Sequence, residues 1–475
     1  MKSEDLSWTE RFEEFTQELM EEHDIPGLSA VLAGPDEVLY AKGFGYRDVE
    51  EGLPATPETT YGMASITKSF AAASITMLED EGMLSGVDPV MRHLPEFRVA
   101  GGVEDAAMNL GHFMNHTSGL PATGALRYSM VRSMRGDPSV EELKKSGSWQ
   151  NYIDREPIDD YDDLLAYLKE ANLTLLGRPG EQFSYSNDAY ALLGAIVERV
   201  SGRSFQDFVA ERILSPLGMD KSTFSLDFLE RREDVATLYA KNGKGEVYRS
   251  PKWQDAPAMV AAGFLRSTAV DMTRYGRMYL SGGMDSRGQR LLSQMAYRRM
   301  CGGVFPSARK QYYGRGFTTR PAYHGSTLVE HGGSLKGVSS HFGFVPERGL
   351  TAAVVANIQN VPVAKIWLAL INSAMGLPMD EARSVEPEYS VPREQLLRYV
   401  GVYRSGEETE IEVRLDDGGL HAEIEGKRYD LRPSGPDTVA IWYRGQETGV
   451  RFIPGPDGEV KALYYGLRII PRVGD

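Results

Sequence analysis

The segment 65–78 constrains this chain most. Phe70, Ala71, Ala72, Ala73, Ile75, Met77 and Leu78 put apolar side chains on nearly every face of a helix that ends at Gly82. Such a helix has to be buried rather than lie on a surface, so other elements must wrap it and the chain must build a large core. Its 475 residues allow that, and at roughly 150 residues per domain they suggest two or three domains.

The rest of the pattern supplies the wrapping. Residues 8–20 carry apolar side chains at helical spacing, and 28–32 and 38–43 read as a hairpin around Gly34-Pro35-Asp36. Residues 188–200 form a helix stopped by Gly202, and Ser204 caps the next one. The stretch 123–176, rich in Asp and Tyr, reads as a solvated surface insertion, with a substrate-shaping lid as the alternative. Strands return at 327–331, 339–345 and 350–356, followed by a helix over 363–375. Beyond Glu386-Pro387 and Val391-Pro392 the chain changes character. Eight short alternating strands follow within 399–470, the pattern of a small meander barrel. The expected division is 1–385 and 386–475.

Charge and composition exclude some partners. With 67 acidic against 52 basic residues the formal net charge is −15, which disfavours nucleic acid or an anionic membrane held through clustered cations. One cysteine, Cys301, cannot form an internal disulfide. No run of about 18 apolar residues predicts a membrane span. Residues 1–24 are charged throughout, without the apolar core of an export signal, so the expected location is cytoplasmic.

Zinc-helix, phosphate-loop and nucleophile-elbow signatures are absent. Instead, Ser65-Ile66-Thr67-Lys68 opens the buried helix. Residues three apart share a helix face, so the Ser65 hydroxyl and the Lys68 amine can exchange a proton. Lys68 would need burial or nearby positive charge to become a base. The competing reading is an N-cap serine with a surface lysine, and a second match at Ser307-Ala308-Arg309-Lys310 opens no apolar helix. Tyr185-Ser186-Asn187, just before the helix 188–200, can contribute a proton-relaying phenol and a positioning amide; a buried tyrosine with a satisfied hydroxyl is the bland alternative. His331-Gly332-Gly333-Ser334 ends a strand, where glycines let substrate approach and the Ser334 N–H can pair with that of Ser65 as an oxyanion hole. A lone histidine such as His331 is more often structural.

Together, in this order, the three elements resemble the serine β-lactamase-like, penicillin-recognising hydrolases, which share Ser-x-x-Lys, Tyr-x-Asn or Ser-x-Asn, and Lys/His-x-Gly boxes. Asn115-His116-Thr117-Ser118-Gly119-Leu120-Pro121, Pro216-Leu217-Gly218-Met219, Ala261-Ala262-Gly263 and Phe344-Val345-Pro346-Glu347 look like further family segments. His331 in place of lysine resembles the D-aminopeptidase and esterase branches, and Phe264 implies a bulkier pocket wall. The 386–475 barrel resembles a lipocalin-like domain. The resemblance implies an α+β fold: an antiparallel sheet flanked by helices, a helical subdomain, and the active site between them. It implies an acyl-enzyme serine hydrolase with Ser65 as nucleophile, Lys68 and Tyr185 moving the proton, Asn187 and His331 positioning, and Ser65, Gly333 and Ser334 around the oxyanion. No metal or organic cofactor is implied. The expected substrates are amide bonds of short peptides, including those with D-residues. A carboxylesterase or β-lactamase on the same site is the runner-up, and a non-catalytic binding or scaffold protein the reading from another class. The barrel is expected to serve as a cap or as a contact in a homo-oligomer.

Overall fold

A computed structural model describes residues 7–99, 103–145, 156–424, 426–443 and 446–474. Its centre is a nine-stranded antiparallel sheet. In spatial order the strands are Leu53–Pro54, Val38–Asp48, Gly27–Ala33, Leu350–Ala356, Val338–Val345, Ser326–Leu335, Thr318–Tyr323, Gln311–Tyr313 and Phe305–Ala308. An early strand pairs with a late one, Leu28 opposite Ala356 through Ala33 opposite Thr351. Residues 55–304 are therefore inserted between the early and late strands of one sheet.

The three central strands are buried along their whole length, because both faces are covered and the side-chain period of two sends alternate residues into different cores. Ala352, Val354 and Ala356 pack with Phe12, Ile366 and Trp367, under the helices Trp8–Glu22 and Val363–Ala374. Ala353 and Val355 join Phe70, Tyr275, Phe342 and Phe344 on the other side.

That second core contains the helix Thr67–Asp80, whose residues from Thr67 to Leu78 are all buried. Phe70 stacks on Tyr275 with ring centroids 4.0 Å apart, a contact whose loss on truncation to alanine would cost about 3–5 kcal/mol. The buried hydroxyls of Ser69, Ser74 and Thr76 donate to the carbonyls of Ile66, Phe70 and Ala72, so the burial leaves none of them orphaned.

The region 123–176 corrects the expectation of a solvated insertion. It forms the helices Ala125–Met134, Pro138–Lys145 and Tyr161–Ala171, and Met130, Met134, Leu164, Leu165 and Leu168 enter the main core. The acidic run begins a helix: Asp160 is an N-cap accepting from Asp163 N at 2.9 Å, where negative charge favours the helix terminus. Residues 146–155 lie outside the described residues.

Eight sequential antiparallel strands, from Gly401–Arg404 to Arg468–Pro471, build the barrel. It is nearly closed by the bridge of Tyr403 to Arg472. Ile411, Val413, Leu420, Phe452 and Leu463 fill its interior, with Tyr399 stacked on Phe452 at 4.1 Å.

Candidate active site

Ser65 sits on a strained turn. Tyr61–Gly62 pairs with Arg266–Ser267 and Met63 N donates to Leu265 O at 2.8 Å. Ala64 then takes φ +46°, a left-handed conformation that costs a non-glycine residue about 1–3 kcal/mol. Thr67 Oγ1 locks the turn, donating to Ala64 O at 2.7 Å and accepting from Leu265 N at 3.0 Å. Within 61–78, Ser65 alone is not buried.

Lys68, one helical turn on, is fully buried. Its Nζ lies 3.2 Å from Ser65 Oγ, 2.8 Å from Asn187 Oδ1 and 2.6 Å from Ala262 O. Burial, and after it the Arg468 guanidinium, hold the amine's pKa well below the usual lysine value, while Glu407 and Asp188 act the other way. A neutral amine has two N–H groups and one lone pair. Asn187 Oδ1 and Ala262 O can only accept, so they take both N–H groups and leave the lone pair for the Ser65 hydroxyl.

Asn187 begins the helix Asn187–Ser201, capped by Ser186, whose side chain accepts from Ala189 N at 3.1 Å. Tyr185 precedes this cap. Its hydroxyl is buried without a partner of normal hydrogen-bond geometry. Burial raises its pKa, opposed by the Ser65 hydroxyl and the Arg468 charge. The Lys68 amine lies 4.8 Å from the Tyr185 ring centroid.

Neither ring nitrogen of His331 is bonded to the Tyr185 hydroxyl. Its Nε2 is 3.0 Å from Tyr313 Oη and its Nδ1 2.6 Å from Gly332 O. A carbonyl only accepts, so Nδ1 carries the proton and the Tyr313 phenol donates to Nε2. Burial, then the charge of Lys68, push its pKa down to about 3. The imidazole is therefore neutral.

A Cβ at Gly333 would lie 2.4 Å from Met63 O and 2.3 Å from Ser340 Oγ. Only glycine lets this strand reach the turn that carries Ser65. The strand Ser326–Leu335 pairs with Val338–Val345 up to Leu335, but its pairing with Thr318–Tyr323 stops at Glu330. One edge of 331–335 is left unpaired beside Ser65. Ser65, Tyr185, Asn187, Phe264, Ser334 and Arg468 are among the residues lining a cavity of about 140 Å³ here.

Six of the seven residues singled out in the sequence thus meet within this one site, and His331 contacts it through Tyr313. The second Ser-x-x-Lys match does not join them: Ser307 is buried against Gln311, which donates to its Oγ at 3.0 Å. Three contributors had no local signal: Tyr313, and Arg468 and Glu407 from the barrel; Ala262, which offers its carbonyl, lies in the Ala261-Ala262-Gly263 segment noted in the sequence. Among the described residues no group of His, Cys, Asp and Glu is placed to hold a metal ion, and no helix is long and apolar enough to cross a membrane.

Known proteins resemble this chain over most of its length. The Beta-lactamase family profile matches residues 12–374. Protein flp of Staphylococcus aureus (strain MW2) is 26% identical over 73% of this chain, which spans 63% of that relative's length. Penicillin-binding protein 4* of Bacillus subtilis (strain 168) is 25% identical over 94% of both chains. Among solved structures, the octameric penicillin-binding protein homologue from Pyrococcus abyssi superposes with a TM-score of 0.70 at 28% identity, covering 94% of this chain and 97% of its own. A profile match across three quarters of the length, on the fold described above, shows that the chain belongs to the beta-lactamase family of serine hydrolases.

Proposed function

We propose that this protein is an acyl-enzyme hydrolase of amide bonds in short peptides, including those with D-residues. The observation that carries the reading is the buried Lys68 amine, bonded only to uncharged oxygens and 3.2 Å from Ser65 Oγ. Lys68 takes the Ser65 proton as the hydroxyl attacks the carbonyl. Negative charge then develops on the carbonyl oxygen, held by the N–H groups of Ser65 and Ser334, each donor contributing about 3–4 kcal/mol in sites of this kind. Tyr185 relays the proton to the leaving amine, and water releases the acyl group by the reverse path. Asn187 fixes the rotamer of Lys68. His331, bonded to Tyr313, shapes the floor of the site.

The unpaired edge of 331–335 supports a peptide substrate, since an extended backbone can add to it as a strand. The narrow cavity favours small side chains beside the scissile bond. Oligomerisation belongs to the same proposal, because the Pyrococcus abyssi relative is described as octameric; light scattering on the purified chain checks it.

The test is a panel of D- and L-aminoacyl p-nitroanilides, short acyl esters and a chromogenic cephalosporin, run on wild type and Ser65→Ala. Turnover of the D-aminoacyl substrates, lost in Ser65→Ala, supports the peptidase. Turnover of esters alone makes it a carboxylesterase, and of the cephalosporin alone a β-lactamase. No turnover together with no fluorophosphonate adduct on Ser65 leaves the non-catalytic reading.

A further inference from the structure

Two loops of the barrel enter the site. The hairpin between Val460–Tyr465 and Arg468–Pro471 turns on Gly466 and Leu467, both at positive φ (+55° and +70°), the geometry of a two-residue type I′ turn. Leucine is an unfavourable residue there, so surrounding contacts must hold the turn. They do: Tyr185 N donates to Leu467 O at 2.8 Å, Ile469 N donates to Ser184 Oγ at 3.2 Å, and Arg468 Nη1 donates to Tyr185 O at 2.7 Å. The guanidinium also lies 4.8 Å from the Tyr185 ring centroid.

The second loop, 405–409, brings Glu407. Its carboxylate accepts from Arg468 Nε and Nη2, both at 3.0 Å, and from Asn187 Nδ2 at 3.4 Å. The loop is set by Gly406, where a Cβ would lie 2.1 Å from Ala122 O, and by Arg127, whose guanidinium donates to Glu407 O.

A continuous polar path therefore runs Arg468–Glu407–Asn187–Lys68. Glu407 can only accept, so it draws the Asn187 NH₂ and turns Oδ1 toward Lys68. Without Glu407 nothing in this path dictates which way the Asn187 amide points. We propose that Arg468 and Glu407 are positioning residues for hydrolysis: the barrel completes the active site by setting the Asn187 amide and the Tyr185 backbone, and by balancing one positive and one negative charge beside the Lys68 amine. This rests on the reading of Lys68 as the base for Ser65. The other ionisable groups around that amine are Asp188, raised to about 7 chiefly by burial, His116 and His331, both held neutral chiefly by burial, and Tyr185 and Tyr190, whose ring centroids lie 4.8 Å and 5.7 Å from it.

The two partners act on Lys68 with opposite sign, which separates positioning from mere support. The experiment follows the rate of fluorophosphonate labelling of Ser65 in the full-length protein against pH. Its acidic limb reports deprotonation of Lys68. Arg468→Met leaves Glu407 unbalanced and should move the limb up by about one pH unit, while Glu407→Gln leaves Arg468 unbalanced and should move it down by about as much. The double variant should return it close to the wild-type position. Gly406→Ala, which displaces the Glu407 loop without changing a charge, should lower the plateau rate about tenfold or more. Arg414→Ala, an exposed barrel residue, serves as control. Limbs that stay in place in both single variants, or that move the same way, overturn the proposal while leaving Ser65 and Lys68 intact. A wild type that is not labelled on Ser65 overturns the reading beneath it, and the proposal with it.

Discussion

Two lysines are buried among the described residues, Lys68 and Lys336, and their hydrogen-bond partners differ in one respect. Lys68 is bonded to a hydroxyl, an amide oxygen and a carbonyl, none of them charged. Lys336, 9% exposed, has similar carbonyl partners in Ser250 and Lys252, and in addition the Asp137 carboxylate at 3.1 Å. Burial lowers the pKa of both; at Lys336 the Asp137 carboxylate opposes it in direct contact, whereas at Lys68 Glu407 and Asp188 oppose it from beyond ion-pair distance and Arg468 adds to it. A carboxylate within contact distance keeps an amine charged and makes it a strut. Here the strut ties the end of the strand bearing Gly333 and Ser334 to the helices of 125–145. Without a carboxylate in contact, burial holds the Lys68 amine well below the usual lysine pKa, as the base role proposed for it requires.

Removing each amine should therefore have opposite consequences. Lys68→Met should lower kcat/KM by about 10⁴-fold or more, as losing one member of a nucleophile–base pair does, and should not add to the loss in Ser65→Ala. The fold should hold or gain up to about 4 kcal/mol, since a buried amine is replaced by a thioether of similar size. Lys336→Met should do the reverse. It leaves a buried carboxylate unpaired, so urea denaturation should show a loss of about 3–5 kcal/mol, with kcat changed far less than in Lys68→Met. Equal activity losses in the two variants would erase the distinction.

pH sharpens the same contrast. A lysine whose folded pKa lies below its unfolded value binds fewer protons folded than unfolded. Its burial therefore costs stability at low and neutral pH, and the cost disappears only as pH rises through the unfolded value of about 10.4. The stability gained in Lys68→Met should accordingly be largest in acid and vanish in alkali, measured by urea midpoints from pH 5 upward.

A smaller effect is expected from Gly333→Ala. The added methyl meets Met63 O and Ser340 Oγ, so the strand must withdraw from Ser65, and misplacement of this order costs about 10²-fold in rate. Smallest is Tyr313→Phe, which removes the donor to His331 Nε2 and leaves that nitrogen buried and unpaired, at about 1–3 kcal/mol of stability. If Tyr313→Phe instead matched Lys68→Met in kcat, His331 would belong to the chemistry.

What could be read in the sequence follows from distance along the chain. Ser65 and Lys68 are one helical turn apart, and Tyr185 and Asn187 flank one helix cap, so spacing alone places each pair. The barrel strands show a period of two, and all eight appear. The helices of 123–176 were obscured because Asp159 to Asp163 suggest solvent, although Asp160 is a cap signal followed by Leu164, Leu165 and Leu168 at helical spacing. Arg468 is 283 residues from Tyr185, and Glu407 is 220 from Asn187. No spacing rule relates them: the packing of the barrel against Phe183, Tyr185 and Tyr313 brings them together. The same holds for Lys336 and Asp137, 199 residues apart.

The central claim is that burial without a carboxylate in contact lowers the pKa of the Lys68 amine further than that of Lys336. Nuclear magnetic resonance of protein labelled with ¹³Cε-lysine, with Lys68→Met and Lys336→Met used for assignment, measures both directly. The expected result is a Lys68 signal that titrates well below the exposed lysines and below Lys336. A Lys68 signal that titrates with the exposed lysines near 10.4 would contradict it.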